Sequence, residues 1–320
     1  MKSIYSLAFY FFKICRKLNP IKYKKADLTY DLTGQESSDH IKNILLKDVP
    51  CMVARFGRNE LNATLIRYTT NEKSYWQKVK YYFARKINNM YFDRQIQNTM
   101  SMGAGFFPPT VKNLERFSDL MLESCRNIDV LGSWLEGEEL LSDYLKNAKK
   151  IKLREMEPYY HENPWSEGLK HKNVLIIHPF EDSIKSQYQK KNYLFNNPDV
   201  LPDFNLITLK AVQSIAGQGQ PFNDWFEAFK YMCEKVKKID FDIAIIGCGA
   251  YGMPLASYIK TDLRKKAIHL GGATQILFGI KGKRWDEHEY IFRLYNDYWV
   301  RPLEAETPKN YKSIENGCYW

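Results

Sequence analysis

The chain has 320 residues, a length that fits one large α/β domain or two smaller domains. Apolar residues make up 44% and charged residues 26%, as in an ordinary soluble domain, which excludes disordered, collagen-like and porin-like chains. The 47 basic and 37 acidic side chains leave a net charge of +10. A surplus of that size favours anionic partners, namely nucleotide phosphates, nucleic acid or acidic lipid head groups.

Missing motifs exclude further classes. The six cysteines form no Cys-x-x-Cys pair, which is typical of reduced cytosolic thiols and argues against a disulfide framework or a zinc site. The chain also has no Gly-x-Ser-x-Gly, His-Glu-x-x-His or Walker A sequence. Triad hydrolases and P-loop enzymes therefore have no support.

Residues 1–25 differ in pattern from residues 26–320. Positions 4–14 are largely apolar, and they contain or precede six cations: Lys13, Arg16, Lys17, Lys22, Lys24 and Lys25. The apolar run is shorter than the about 20 residues that span a bilayer. It predicts an interfacial helix on the anionic inner face of the cell membrane, with the rest of the chain in the cytoplasm. The alternative is a first helix that packs on the domain.

Strand-like and helix-like segments alternate along the rest of the chain. Short apolar runs predict strands over residues 51–55, 128–131, 173–178, 205–209, 241–246 and 266–270. Helical periodicity predicts helices over residues 75–98, 111–125, 136–149, 222–238 and 253–260. This alternation predicts an α/β fold, Rossmann-like, with a mostly parallel sheet and helices on both faces. Residues 26–320 then form a single domain, or two lobes that divide near residues 158–172.

The segments that follow these strands are rich in glycine and polar residues. They begin at positions 55, 132, 179, 213, 247 and 271. In open parallel sheets, ligands bind outside the carboxyl ends of the strands. The sequence therefore predicts a binding site at this edge.

One of these segments matches the spacing Gly-x-Gly-x-x-Gly through Gly247, Gly249 and Gly252, with Tyr251 between the last two. Glycines at the start of a helix expose backbone N–H groups that can bind an anion. A nicotinamide oxidoreductase that modifies nucleotide sugars is one interpretation. It is disfavoured because the motif lies late in the chain and the next strand ends without an acidic residue. A tight turn without a ligand is the other alternative.

A second glycine turn contains Gly271, Gly272 and Gln275. It is followed by three cations beside an indole: Lys281, Lys283, Arg284 and Trp285. Such a cluster can neutralise a diphosphate, since arginine binds phosphate bidentately. The alternative is a solvated surface.

A cation and a carboxylate, Arg55 and Glu60, follow the first predicted strand. Glu60 could act as a general base or as an oxygen ligand of Mg²⁺ or Mn²⁺. The alternative is a buried salt bridge between the two side chains.

These segments resemble a known family. Arg55-Phe-Gly-Arg-Asn-Glu60 is similar to the RFGDGE-type start of bacterial glycosyltransferases of the GT-D fold. Residues 241–285 resemble a GT-D-like group from capsule and O-antigen gene clusters, and residues 103–108 and 178–183 resemble further blocks of it. The resemblance covers roughly residues 45–290.

The resemblance implies a hexosyltransferase that moves a sugar from a nucleotide donor, typically UDP-linked, to a growing surface polysaccharide or lipid-linked oligosaccharide. Together with the motifs above, it implies catalytic roles for Arg55 and Glu60. The implied donor-binding residues are Gly103, Gly105, Trp134, Ser183, Gly247, Gly249, Tyr251, Gly252, Gly271, Gly272, Gln275, Lys281, Lys283, Arg284 and Trp285.

One departure from the family pattern affects the metal. The Asp-x-Glu motif is Arg58-Asn59-Glu60 here, so only the glutamate is kept. Binding of Mn²⁺ or Mg²⁺ by Glu60 and metal-independent transfer both stay open. In the second case Lys281, Lys283 or Arg284 would stabilise the leaving diphosphate. A nucleic-acid-binding module is a further alternative, which only the charge and the aromatic content favour.

Overall fold

Seven parallel strands form one sheet in the computed structural model, which describes residues 11–16, 18, 28–214, 221–313 and 316–320. The strands are β1 (Met52–Ala54), β2 (Val130–Ser133), β3 (Lys149–Lys152), β4 (Asn173–His178), β5 (Asn205–Lys210), β6 (Ile243–Ile246) and β7 (Lys266–His269). Their order in the sheet is β3-β2-β1-β7-β6-β4-β5. The predicted α/β class with a mostly parallel sheet is confirmed. Strands from both sides of the predicted division near residues 158–172 share this one sheet.

Helices cover both faces of the sheet. One face packs on α2 (Arg58–Asn71), α3 (Tyr75–Phe83), α4 (Arg94–Ala104), α5 (Val111–Cys125), α7 (Trp225–Lys237) and α8 (Gly252–Thr261). The other packs on α1 (Gln35–Leu46), α6 (Glu181–Tyr188), α9 (Ala273–Leu277), α10 (Lys283–Asp286) and α11 (Glu289–Leu294). Side chains alternate along each strand, so Met52 and Val53 enter opposite cores. Burial on both faces explains why the central strands are continuously apolar.

Two predicted helices differ from the structure. The helix predicted over residues 75–98 is two helices, α3 and α4. Arg85 has a positive φ of 57° after α3, and the Asp93 side chain caps the start of α4. The helix predicted over residues 136–149 is wrong. Gly137 has a left-handed φ of 96°, a short 3₁₀ turn follows, and Lys149–Lys152 pairs with β2 as the edge strand.

The described part of the N-terminal segment contacts the domain. Residues 11–16 are helical, the Lys13 Nζ atom lies 2.8 Å from the Asp93 carboxylate, and the Phe12 ring lies 5.6 Å from that of Phe83. The apolar side chains of Phe11, Ile14 and Leu18 are exposed. Most of the predicted interfacial helix (residues 1–10, 17 and 19–25) lies outside the described residues. Within the described ranges, no helix is long and apolar enough to cross a membrane.

Candidate active site

A cavity of about 450 Å³, here called the first cavity, opens at the carboxyl edge of β1, β4, β6 and β7. The structure brings together most of the predicted site residues around it. They are Arg55, Glu60, Gly103, Gly105, Trp134, Gly247, Gly249, Tyr251, Gly271, Gly272, Gln275 and Arg284. The Gly103–Gly105 turn enters from the end of α4, and Trp134 enters from the end of β2.

Two of the predicted donor-binding residues are buried away from this cavity. The backbone N–H and hydroxyl of Ser183 donate to the Glu306 carboxylate, so this serine is used by the fold. Gly252 lies beneath the His269 ring, where a Cβ would come within 2.1 Å of its Cε1 atom. Neither residue is placed to contact a ligand in the first cavity.

The predicted basic cluster is also divided. The Lys281 Nζ atom lies 5.1 Å from the centroid of the Tyr295 ring, and Lys283 is exposed with its Nζ atom 3.4 Å from the Asn316 carbonyl oxygen. Trp285 lines an adjoining cavity instead. Only Arg284 of the three cations reaches the first cavity, because α10 is short and points its other side chains elsewhere.

Three guanidinium groups surround the first cavity. Those of Arg55 and Arg58 lie 5.0 Å and 5.4 Å from the Trp134 ring centroid. Arg284, which is far from both in the sequence, also lines the cavity. Among the residues that the structure describes, no carboxylate lies within ion-pair distance of Arg55, so the Arg55–Glu60 salt bridge given as the alternative is not formed. Burial lowers the pKa of Arg55, Tyr319 and Glu60 oppose that shift, and Arg284 adds to it. An anion in this cavity would offset the cost of burying a cation.

Two of the glycine N–H groups in the predicted turns are used by the sheet itself. The N–H of Gly247 donates to the Ile177 carbonyl oxygen at 2.9 Å, and that of Gly271 donates to Ile246 at 3.0 Å. A Cβ on Gly247 would lie 2.6 Å from the His178 ring. Gly247 is therefore required for close packing of the strand ends, and guanidinium groups supply the formal positive charge of the cavity.

Buried polar atoms without partners cluster at the end of β7. In the part of the chain described, His269 Nδ1, Thr274 Oγ1 and Gln275 Oε1 have no hydrogen-bond partner. The imidazole of His178 also faces the cavity, and its Nδ1 accepts the Phe180 N–H at 3.0 Å, which leaves the proton on Nε2. Burial lowers the pKa of both histidines to about 3, so both are neutral at pH 7. Such groups suit a ligand rich in hydroxyls.

Glu60 lies in the first turn of α2 with its carboxylate folded back over Gly57. A Cβ on Gly57 would lie 2.0 Å from Glu60 Oε2. Burial raises the pKa of Glu60, while its own backbone N–H and the Arg55 charge oppose that shift. A carboxylate in this position stabilises the helix N-terminus.

The side chains around Glu60 do not fit a protein-built divalent-cation site. The position of the missing aspartate holds the Arg58 guanidinium, and Arg55 is the other charged neighbour. No group of three or more His, Cys, Asp or Glu residues that could hold a metal occurs in the described ranges. Hard cations need several oxygen ligands, and this chain offers one carboxylate among guanidiniums.

Sequence reasoning missed several residues of the first cavity. Tyr319 and Trp320 form part of its wall. Gln275 Nε2 donates to the Tyr319 carbonyl oxygen at 3.1 Å, and the Lys283 N–H donates to the Trp320 carbonyl oxygen at 3.1 Å. Gln213 and Ser214 also line it. The predicted strand-end segment that begins at position 213 accounts for Gln213 and Ser214, whereas no motif or spacing marks Tyr319 and Trp320.

An open parallel sheet with a polar, cationic cavity at the carboxyl ends of its central strands defines a Rossmann-like α/β protein with a ligand site at that edge. The sequence model of the GT-D-like family, described as a GT-D fold-like domain, matches residues 32–277. The chain therefore belongs to this family. No curated protein and no solved structure matches it. Arg284, Tyr319 and Trp320 lie outside the matched range.

Proposed function

We propose that this chain is a glycosyltransferase of the hexosyltransferase type, which transfers a sugar from a nucleotide-sugar donor to a growing surface polysaccharide or lipid-linked oligosaccharide. The observation that carries the proposal is the first cavity, where three guanidiniums meet at the sheet edge of a GT-D-like domain. The donor is UDP-linked in this proposal.

The donor diphosphate would lie among Arg55, Arg58 and Arg284, since guanidinium groups bind phosphate oxygens through paired hydrogen bonds. The partnerless polar atoms of His269, Thr274 and Gln275 would bind hydroxyl groups of the ligand. The Trp134 indole is fixed by a 3.0 Å bond from its Nε1–H to the Phe56 carbonyl oxygen and presents a rigid surface for base or sugar.

In the proposed reaction an acceptor hydroxyl oxygen forms a bond to the anomeric carbon of the donor. The bond between that carbon and the diphosphate oxygen breaks, and a carboxylate of the protein takes the hydroxyl proton. The arginines would stabilise the charge that develops on the leaving diphosphate, a role that a metal ion fills in other transferases. We therefore propose metal-independent transfer, and we expect a chelator to leave the rate unchanged.

Ligand binding tests this function directly. The purified chain is screened for thermal stabilisation by UDP-, GDP-, CMP- and dTDP-sugars, because a ligand that binds the folded state raises its melting temperature. We expect stabilisation by one nucleotide class and its loss in Arg55→Met. Lys283→Met is the matched control, since it removes a cation outside the first cavity. Stabilisation by NADH or by RNA alone would overturn the proposal.

We also propose peripheral contact with the inner face of an anionic membrane. The exposed side chains of Phe11, Ile14 and Leu18 recur at helical spacing beside the basic segment. Sedimentation with phosphatidylglycerol vesicles should fade as salt rises and should be lost when all three are changed to serine. Leu46→Ser, at an exposed leucine of α1, is the control. Failure of the unmodified chain to sediment with vesicles would contradict this proposal.

A further inference from the structure

A second cavity of about 710 Å³ adjoins the first. Trp134 lines both cavities, so the indole forms part of the wall between them. The second cavity lies beyond the end of β3 and is closed on its other side by α10 and α11. In the proposed function the donor binds in the first cavity, and the second cavity has no role.

Aromatic rings form part of the lining of the second cavity, which also includes Lys152, Arg154 and His288. Besides Trp134 it contains the rings of Tyr30, Tyr160 and Trp285. Tyr160 stacks on Tyr290 with centroids 4.3 Å apart, and Trp285 is buried against Gly272 and Gly282. Rigid aromatic rings provide flat apolar surfaces at low entropic cost, which suits the C–H face of a pyranose ring.

One carboxylate, Glu157, also lines the second cavity. The Tyr159 hydroxyl donates to its Oε2 atom. Burial raises the pKa of Glu157 to about 7, and the charge of Arg55 opposes that shift. Arg55, whose charge acts on Glu157, lines the first cavity, and Glu157 lines the second.

We propose that the second cavity binds the acceptor as a saccharide and that Glu157 accepts the proton of its attacking hydroxyl. The inference rests on the proposed function, because it assigns the acceptor of the same reaction. The acceptor oxygen bonds to the anomeric carbon as its proton moves to a Glu157 oxygen. The carbon–oxygen bond to the diphosphate breaks, and the electron pair leaves with the nucleoside diphosphate in the first cavity.

Glu60, the other carboxylate near Arg55, is less suited to this step. Its carboxylate is folded over Gly57 and contacts its own backbone N–H, so it acts on the helix start. Glu138 is enclosed by donors: the Ser133 hydroxyl and the N–H groups of Trp134 and Leu135. Glu157 is the carboxylate that lines the aromatic cavity.

Variants of the second cavity test the proposal with readouts for each substrate. Tyr30→Ala and Tyr160→Ala should raise the acceptor KM about tenfold, consistent with losing one aromatic contact, while the donor Kd stays unchanged. Glu157→Gln should lower kcat about 100-fold at unchanged donor Kd, and Glu157→Asp should restore part of it. Tyr193→Ala is the matched control, since Tyr193 is an exposed, stacked tyrosine outside both cavities.

A second measurement separates this inference from the proposed function. Saturation-transfer NMR with methyl glycosides of glucose, galactose and their N-acetylamino counterparts needs no donor. We expect a signal in the unmodified chain that Tyr30→Ala reduces and Tyr193→Ala does not. Saccharide binding without nucleotide-sugar binding would overturn the proposed function alone. Donor binding with no saccharide signal, or with wild-type kinetics in Glu157→Gln and Tyr160→Ala, would overturn the inference alone.

Discussion

The two cavities meet at Trp134, and their linings differ in composition. The first has three guanidinium groups, neutral histidines and glycines, whereas the second has four aromatic rings and the Glu157 carboxylate beside Lys152, Arg154 and His288. Glycosyl transfer needs cations and a base at different places, because negative charge develops on the leaving group while the acceptor loses a proton. Cations belong beside the leaving group and a base beside the acceptor.

The cavities also differ in their origin within the fold. Ends of β1, β4, β6 and β7 build most of the first cavity, so its geometry follows from the sheet. Connecting segments and short helices after β3 and β7 build most of the second. Segments of this kind vary more readily than strand ends, which fits a shared donor site and a variable acceptor site.

The largest loss is expected at Arg55 in the first cavity. Arg55→Met should lower kcat/KM about 100-fold, because it removes charge-assisted hydrogen bonds to the diphosphate. Calorimetry with UDP should show the same loss in affinity. The folded state should persist, since methionine avoids burying a charge. Arg58→Met and Arg284→Met should each have smaller effects, as both side chains are more exposed.

Lys283→Met is again the control for Arg55→Met, and it should retain wild-type kinetics. Equal losses in the two variants would mean that net charge, and not the placement of Arg55 in the first cavity, governs donor binding. The contrast between the cavities would then have no functional meaning.

The pH dependence of kcat addresses the second cavity. Because the pKa of Glu157 is raised to about 7 and the base must be ionised, kcat should rise with pH, about tenfold across the two units centred on that value. Tyr159, Arg55 and the cavity groups Lys152, Arg154, Tyr160 and His288 face this carboxylate. Glu157→Gln should abolish the rise, whereas His288→Asn should preserve it. The opposite pattern would assign the titration to His288.

The sheet edge could be predicted from the sequence because strand ends have a local signal. Apolar runs that end in glycine or polar residues predict that Arg55, Gly247 and Gly271 are neighbours, and all three line the first cavity. The edge strand β3 could not be predicted, since Lys-Lys-Ile-Lys is no apolar run and only pairing with β2 defines it. The role of the glycines was also beyond the sequence, as it depends on which carbonyl oxygens their N–H groups reach.

The sequence did not predict the second cavity, although Trp134 and Trp285 were predicted as donor-binding residues. Tyr30, Glu157 and Trp285 come from three distant segments, and none belongs to a spacing motif. Their proximity depends on how residues 153–160 pack against α10 and α11. The prediction also grouped Lys281 and Lys283 with Arg284, but neither lysine lines the first cavity. Residues that are close in the sequence need not lie on the same surface.

Glu60→Gln gives a sharper comparison between the two carboxylates near Arg55. We expect the unfolding free energy to change by less than about 1 kcal/mol, because loss of the charge at the α2 N-terminus is offset by relief of the burial that raises the pKa of Glu60, and we expect kcat to fall only a few-fold. Chemical denaturation and steady-state kinetics measure the two effects. If Glu60→Gln lowered kcat as much as Glu157→Gln without destabilising the fold, the base would be Glu60, which lines the first cavity.

A similarly small effect is expected at the part of the first cavity that lies outside the matched family range. The Trp320 ring is 5.9 Å from that of Phe180, and its Nε1–H donates to the Glu306 carbonyl oxygen at 3.3 Å. Removing one such aromatic wall should weaken donor binding about three- to tenfold, so Trp320→Ala should raise the UDP Kd by that factor while the acceptor KM stays constant. Trp76→Ala is the control, since that indole is exposed on α3 and lines neither cavity. A change confined to the acceptor KM would mean that Trp320 contacts the acceptor and not the donor. The acceptor site would then extend past Trp134 toward Phe180.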